Sequence, residues 1–301
     1  MKFNFDEDLK HDVHRIFNIY GIRSSPNKAS REAILDFLTI REKLISAAKR
    51  EVHISPLLKA KLDTHPKKKE ILYIQKALVE GVNVNFFQSK RLFQPKFHDH
   101  LVYEWSIHHF HLSLIKDTKT RFVKQVDDLL FVYIDDHRAI LLDTEKHKKG
   151  IFADVKWLEI LHDYFPDVLA QQRDSNIQLV EPTVNNVERQ ALWDNGITLS
   201  PTMVRGVAYW SKGIGRTTSR HSSKVVLNTN EVLRWLHHIN ERFGTDGAVI
   251  CDHFGLPYNS SIFRLRFGPT NLEVYEENSR RVILQYRDTL NIKKEKDEAK
   301  I

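Results

Sequence analysis

Two short apolar runs set the strongest limit on how this chain folds. Residues 129–134 (Leu-Leu-Phe-Val-Tyr-Ile) and 139–142 (Ala-Ile-Leu-Leu) are separated by four residues that begin Asp135-Asp136. Runs of this length around a short polar break read as strands joined by a tight turn. Before them stands Trp105-Ser106-Ile107-His108-His109-Phe110-His111-Leu112, and after them Glu145-Lys146-His147-Lys148-Lys149. Residues 101–112 also read as a strand. Imidazoles and cations therefore bracket a small antiparallel sheet.

Alternate side chains on a strand share a face. His109 and His111 are expected together, alongside Trp105 and Ile107, with His108, Phe110 and Leu112 opposite. Two adjacent imidazoles discourage each other's protonation. Their pKa values are expected to split, one ring staying neutral near pH 7 and the other able to carry a proton. A base, an acid and a cation suffice to cleave RNA without a metal. The base takes the 2′-OH proton, the acid protonates the leaving 5′ oxygen, and the cation holds the charge on the phosphate. On this reading His109 and His111 are base and acid, Arg121 and Lys149 stabilise the phosphate charge, and His147 is an alternate acid. No cofactor is expected. The same His-x-His pair, completed by His147, Asp143 or Glu145, is also a ligand set for a borderline metal. Plain hydrogen-bonded packing of these rings is the third alternative.

The totals agree with a basic, globular protein. The 301 residues suit one large domain or two ordinary ones. A net charge of +7, with 16 His counted as neutral, favours an anionic partner, RNA first. Cys251 is the single cysteine, which excludes an internal disulfide and a multi-Cys zinc site. The N-terminus lacks the apolar core of a signal peptide, and no run is long enough to span a membrane, so a cytoplasmic protein without membrane contacts is expected.

The fold class expected is α+β. N-terminal helices (6–20, 30–48 and a pattern around 71–79 closed by Gly81) lead into the small antiparallel sheet, with a short extended piece at 52–55. A helix over 155–165 follows. A polar stretch at 170–190 marks a soft boundary, giving units 1–170 and 171–292 and a charged tail at 293–301. The second unit reads as mixed and strand-rich. It has strands at 204–210, 248–251, 261–267, 272–275 and 281–286 and an amphipathic helix at 230–243. In it, Gly213-Ile214-Gly215-Arg216 with Thr217, Thr218, Ser219 and Ser222 forms a polar loop suited to a phosphate, without the Lys-Ser/Thr of a P-loop. Arg264, Arg266, Arg280 and Arg281 among aromatic residues suggest a basic sheet face for single-stranded nucleic acid.

Across residues 103–150 the order of parts resembles the catalytic core of RelE-like ribonuclease toxins. These pair a strand ending in basic residues with a strand, acidic turn and strand, followed by a Lys-rich segment. The chain departs from them where the family sets an Arg at the start of the first hairpin strand; Asp128 stands there, and Arg121 lies earlier. A shorter likeness is to 2H phosphoesterases, through His53-Ile54-Ser55 and His111-Leu112-Ser113. The wider run, with Leu161-His162 and Phe165-Pro166, resembles a group of uncharacterised bacterial proteins. The RelE-like resemblance implies an endoribonuclease, a toxin or phage-defence effector with a possible neutralising protein partner, and the wider likeness implies a bacterial or phage origin. The alternatives are a non-catalytic nucleic-acid- or partner-binding protein and a His-ligated, metal-dependent phosphodiesterase.

Overall fold

The computed structural model describes residues 1–286 apart from 26, 182, 214, 216, 218, 220 and 268–270. The tail expected at 293–301 lies outside them. In chain order the elements are α1 (Phe5–Ile19), α2 (Ser30–Lys43), β1 (Glu51–Ile54), α3 (Pro56–Leu62), α4 (Lys68–Glu80), α5 (His100–Trp105) and β2 (Ile107–His111). Then come β3 (Asp128–Ile134), β4 (Arg138–Lys146), α6 (Lys156–Tyr164), β5 (Arg173–Asp174), α7 (Asn186–Asp194), β6 (Thr202–Val204) and β7 (Val207–Tyr209). The last are α8 (Ser223–His253), β8 (Phe263–Phe267), β9 (Leu272–Glu276) and β10 (Val282–Tyr286). The class is α+β, as expected.

The chain folds as two compact units. Among the described residues, one holds Met1–Thr39 and Val225–Tyr286; the other runs from Ile40 to Lys224. The boundary expected at 170–190 therefore falls inside the second of these. The polar stretch there is held by a 3-10 segment, Pro166–Gln172, and by β5, which pairs with β7.

In the Ile40–Lys224 unit, the sheet order is β1-β4-β3-β2. β2, β3 and β4 are antiparallel as expected, but β1 adds in parallel to β4, so the sheet is mixed. Both faces are covered. Ile107, Leu129, Phe131, Tyr133, Ile140 and Leu142 pack towards α6, where the Trp157 ring stacks on Phe131 at 3.8 Å between centroids. Phe110, Leu130, Val132, Ala139 and Leu141 pack on the opposite side with Ile71, Ile74 and Leu78 of α4. Burial on both faces explains why β3 and β4 read as continuous apolar runs rather than as alternating ones.

Three local expectations are corrected. Residues 101–105 are helical: the Asp99 carboxylate caps Val102 N–H at 3.2 Å, and Ser106, at φ 56°, ends α5 before β2 begins. The run at 204–210 is a hairpin, β6 and β7, that turns at Arg205 and Gly206, both at positive φ. Residues 248–251 lie inside α8, which extends well beyond 230–243 and buries Val232, Leu236, Ile239, Phe243, Gly247 and Cys251 along one stripe.

In the other unit, α1 lies along the edge strand of the sheet β10-β9-β8. The amides of Phe263, Leu265 and Phe267 on β8 donate to Lys2 O (2.9 Å), Asp8 Oδ2 (3.0 Å) and Asp12 Oδ2 (2.6 Å). Phe5 and Phe263 both pack edge-on to Phe243 of α8.

Candidate functional site

β2 carries His108, His109 and His111 and is buried along its whole length. Its pairing with β3 sets His109 beside Phe131 and His111 beside Leu129. As the alternation requires, His109 and His111 share one face, with ring centroids 6.1 Å apart. Phe152, from the 3-10 turn Ile151–Ala153, packs against His109 at 4.7 Å and against His147 at 5.3 Å. His147 follows β4 and is exposed, its amide bonded to Asp127 O at 2.8 Å. Three of the expected residues, His109, His111 and His147, therefore gather at one end of the sheet, from interior to surface. Arg121 lies exposed on the connection from β2 to β3, between the bridge partners Lys116 and Val123, and Lys149 lies on the exposed turn after His147.

Burial changes the protonation expected of these rings. His109 and His111 are each pushed down to about 4, chiefly by loss of solvent. Repulsion from His147 adds to it at His109, and from His109 and then His147 at His111. His108, on the opposite face, is pushed to about 3 for the same first reason. The expected split into one neutral and one protonated ring is thus replaced by two neutral rings at pH 7. Desolvation acts on both alike and outweighs the pairwise difference. His111 Nδ1 lies 2.7 Å from Val126 O and 3.3 Å from Val126 N; one ring nitrogen cannot both donate and accept, and the shorter contact has the ring N–H donating to the carbonyl. Its Nε2 therefore carries the lone pair of a base.

Several polar groups here were not singled out from the sequence. Asp99 Oδ2 lies 3.6 Å from His109 Nδ1, both side chains being about nine-tenths buried. Burial lifts the Asp99 carboxyl to about 6, against the pull of its capping bonds and of Lys43. Lys43 is buried and donates to Gln94 O and Phe97 O, each at 2.9 Å. Glu42, beside it, is raised to about 7 by burial, although Ser222 Oγ donates to it at 3.2 Å. Gly213 in the polar loop comes so close to Tyr103 O that a Cβ there would lie 2.2 Å from it, while Lys212 N–H donates to Glu104 O. That loop is docked on α5; its Ile214, Arg216 and Thr218 lie outside the described residues.

Other sequence features resolve into structure. His53-Ile54-Ser55 and His111-Leu112-Ser113 begin on opposite edges of the sheet, separated by β4 and β3, and Ser55 caps α3. Arg264 pairs with Asp8 and Glu277, and Arg266 with Glu273, so the basic face of β8 is largely neutralised. Arg281 donates to Phe254 O. Among the described residues no group of three His, Cys, Asp or Glu side chains is arranged to hold a metal ion, and no helix is long and apolar enough to cross a membrane. Comparison with protein-family models, curated proteins and solved structures finds no match to this chain.

Proposed function

We propose that the Ile40–Lys224 unit is a metal-independent endoribonuclease, acting as a bacterial toxin or phage-defence effector. The observation that supports it most is the meeting of His109, His111 and His147 around Phe152 at one end of the sheet. The neutral His109–His111 pair supplies the Nε2 base that takes the 2′-OH proton. His147, the exposed ring, protonates the leaving 5′ oxygen. Lys149 and Arg121 hold the phosphate charge. A seated phosphodiester raises the pKa of the rings it touches, since a nearby anion favours the imidazolium. This brings a base depressed by burial towards the working pH. The basic residues at the same end, Lys146, Lys148 and Lys149, draw the RNA backbone in.

The test is incubation of the full chain with end-labelled RNA in EDTA. Cleavage is expected in wild type and expected to fall by about 10²–10⁴ in His111→Ala and in His147→Ala. Expression of the wild type in bacteria is expected to arrest growth, and His147→Ala to relieve the arrest. RNA left intact by the wild type overturns the reading. Binding without cleavage, equal in wild type and variants, replaces it with a non-catalytic nucleic-acid-binding role, and cleavage lost only in EDTA replaces it with a metal-dependent one.

A further inference from the structure

We propose that Asp99 is the positioning carboxylate of the imidazole cluster, holding His109 with its proton on Nδ1 and its lone pair on Nε2. The tautomer stands on geometry alone; its catalytic consequence rests on the ribonuclease reading above. His109 Nδ1 is buried and makes no hydrogen bond of its own. Asp99 Oδ2 lies 3.6 Å from it. Phe152 at 4.7 Å and Phe131 at 6.3 Å are ring neighbours that carry no acceptor, and His111 lies on the same face at 6.1 Å. A buried donor left without an acceptor is costly, so Nδ1–H turned towards the carboxylate is the favoured form. Closure by about 0.7 Å from the present 3.6 Å makes it a charge-assisted bond.

Asp99 is well fixed for this role. Its Oδ1 accepts Val102 N–H, a backbone bond from Leu101 also holds the carboxylate at the start of α5, and Oδ2 is the oxygen 3.6 Å from the ring. The titratable groups around the pair are Lys43 on the side of Asp99, His111 and His147 on the side of His109, and His108 behind the strand. With its carboxyl near 6, Asp99 is ionised at pH 7 and takes up a proton as the pH falls below that. A protonated carboxyl donates to Nδ1 instead of accepting from it, and the ring is driven to the other tautomer.

The test uses the full chain and long-range ¹⁵N–¹H correlation of the imidazoles at pH 7.5, in wild type and D99N. Asn is as good a cap as Asp, so α5 is retained. Its amide N–H₂, facing the ring, forces Nδ1 to accept. Expected are Nδ1–H in wild type, Nε2–H in D99N, and a loss of RNA cleavage on the order of a hundredfold. Wild-type cleavage is expected to fall away below about pH 6, and that acid limb to move to lower pH in the residual activity of D99N, where only the rings still titrate. A merely structural carboxylate moves neither the tautomer nor the limb. Wild-type His109 protonated on Nε2 overturns the proposal, whether or not D99N folds, and so does a D99N protein that keeps Nδ1–H. If the tautomer switches as expected but the wild type cleaves no RNA, the positioning role stands and the ribonuclease reading falls.

Discussion

Acid sensitivity of the buried strand gives the sharpest quantitative expectation, and His108 isolates it. Gln88 Nε2 donates to Asn85 Oδ1 (2.8 Å) and Lys43 O (3.2 Å), so its Oε1 must face His108 and accept from Nδ1 at 3.3 Å. A second proton on this buried ring is desolvated, and His109 and then Arg50 add repulsion. In the unfolded chain the ring binds a proton below about 6.5; in the folded protein it stays neutral down to about 3. Unfolding therefore takes up a proton between these values, and stability is lost as the pH falls through this window. From pH 7 to pH 5 the loss linked to this ring is about 2 kcal/mol. His108→Gln keeps a polar partner for Gln88 and removes the proton site. Urea unfolding followed by tryptophan fluorescence, with Trp157 buried in this unit, gives the stability at both pH values. The variant is expected to lose about 2 kcal/mol less than wild type between pH 7 and pH 5. Equal losses in the two proteins would refute the claim that desolvation holds this imidazole neutral.

Trp157→Ala removes the ring stacked on Phe131 and is expected to cost about 3–5 kcal/mol, read from the same urea curves. Ser55→Ala loses the bond from Leu58 N–H and the one to Leu142 O, and is expected to cost about 1–2 kcal/mol in the urea midpoint. RNA binding by the unit should weaken steeply with salt, and substituting Lys148 and Lys149 by Ala should flatten the slope of log affinity against log salt by about 1–2; an unchanged slope places the RNA elsewhere.

The hairpin and the imidazole face were legible because a short-range code fixes them. Apolar runs around Asp135-Asp136 leave few alternatives to β3 and β4, and period-two alternation puts His109 and His111 on one side whatever covers them. Asp99 was hidden for the opposite reason. It lies ten residues before His109 in sequence and reaches it only because α5 intervenes, and α5 itself was masked by the aromatic and β-branched content of 102–110. Its start signal was present: an Asp three residues before Val102 is a helix cap. The pKa split failed because alternation reports which face a ring shares but not how deeply that face is buried. Residues 248–251 read as a strand since Val249 and Ile250 are β-branched. The stripe Ile239, Phe243, Gly247, Cys251 carries the period of α8 straight through them, and Val249 is left on the solvent side.

The way α1 meets β8 bears on how this protein behaves in company. An uncovered sheet rim is a template on which a neighbouring chain can add a strand. Here the three rim amides are already spoken for by Lys2, Asp8 and Asp12. A foreign strand would have to displace two carboxylates and meet their charge. Asp8 and Asp12, one helical turn apart, thus guard this side of the molecule against self-association, and their joint replacement by Ala should leave the fold recognisable but the protein prone to aggregate.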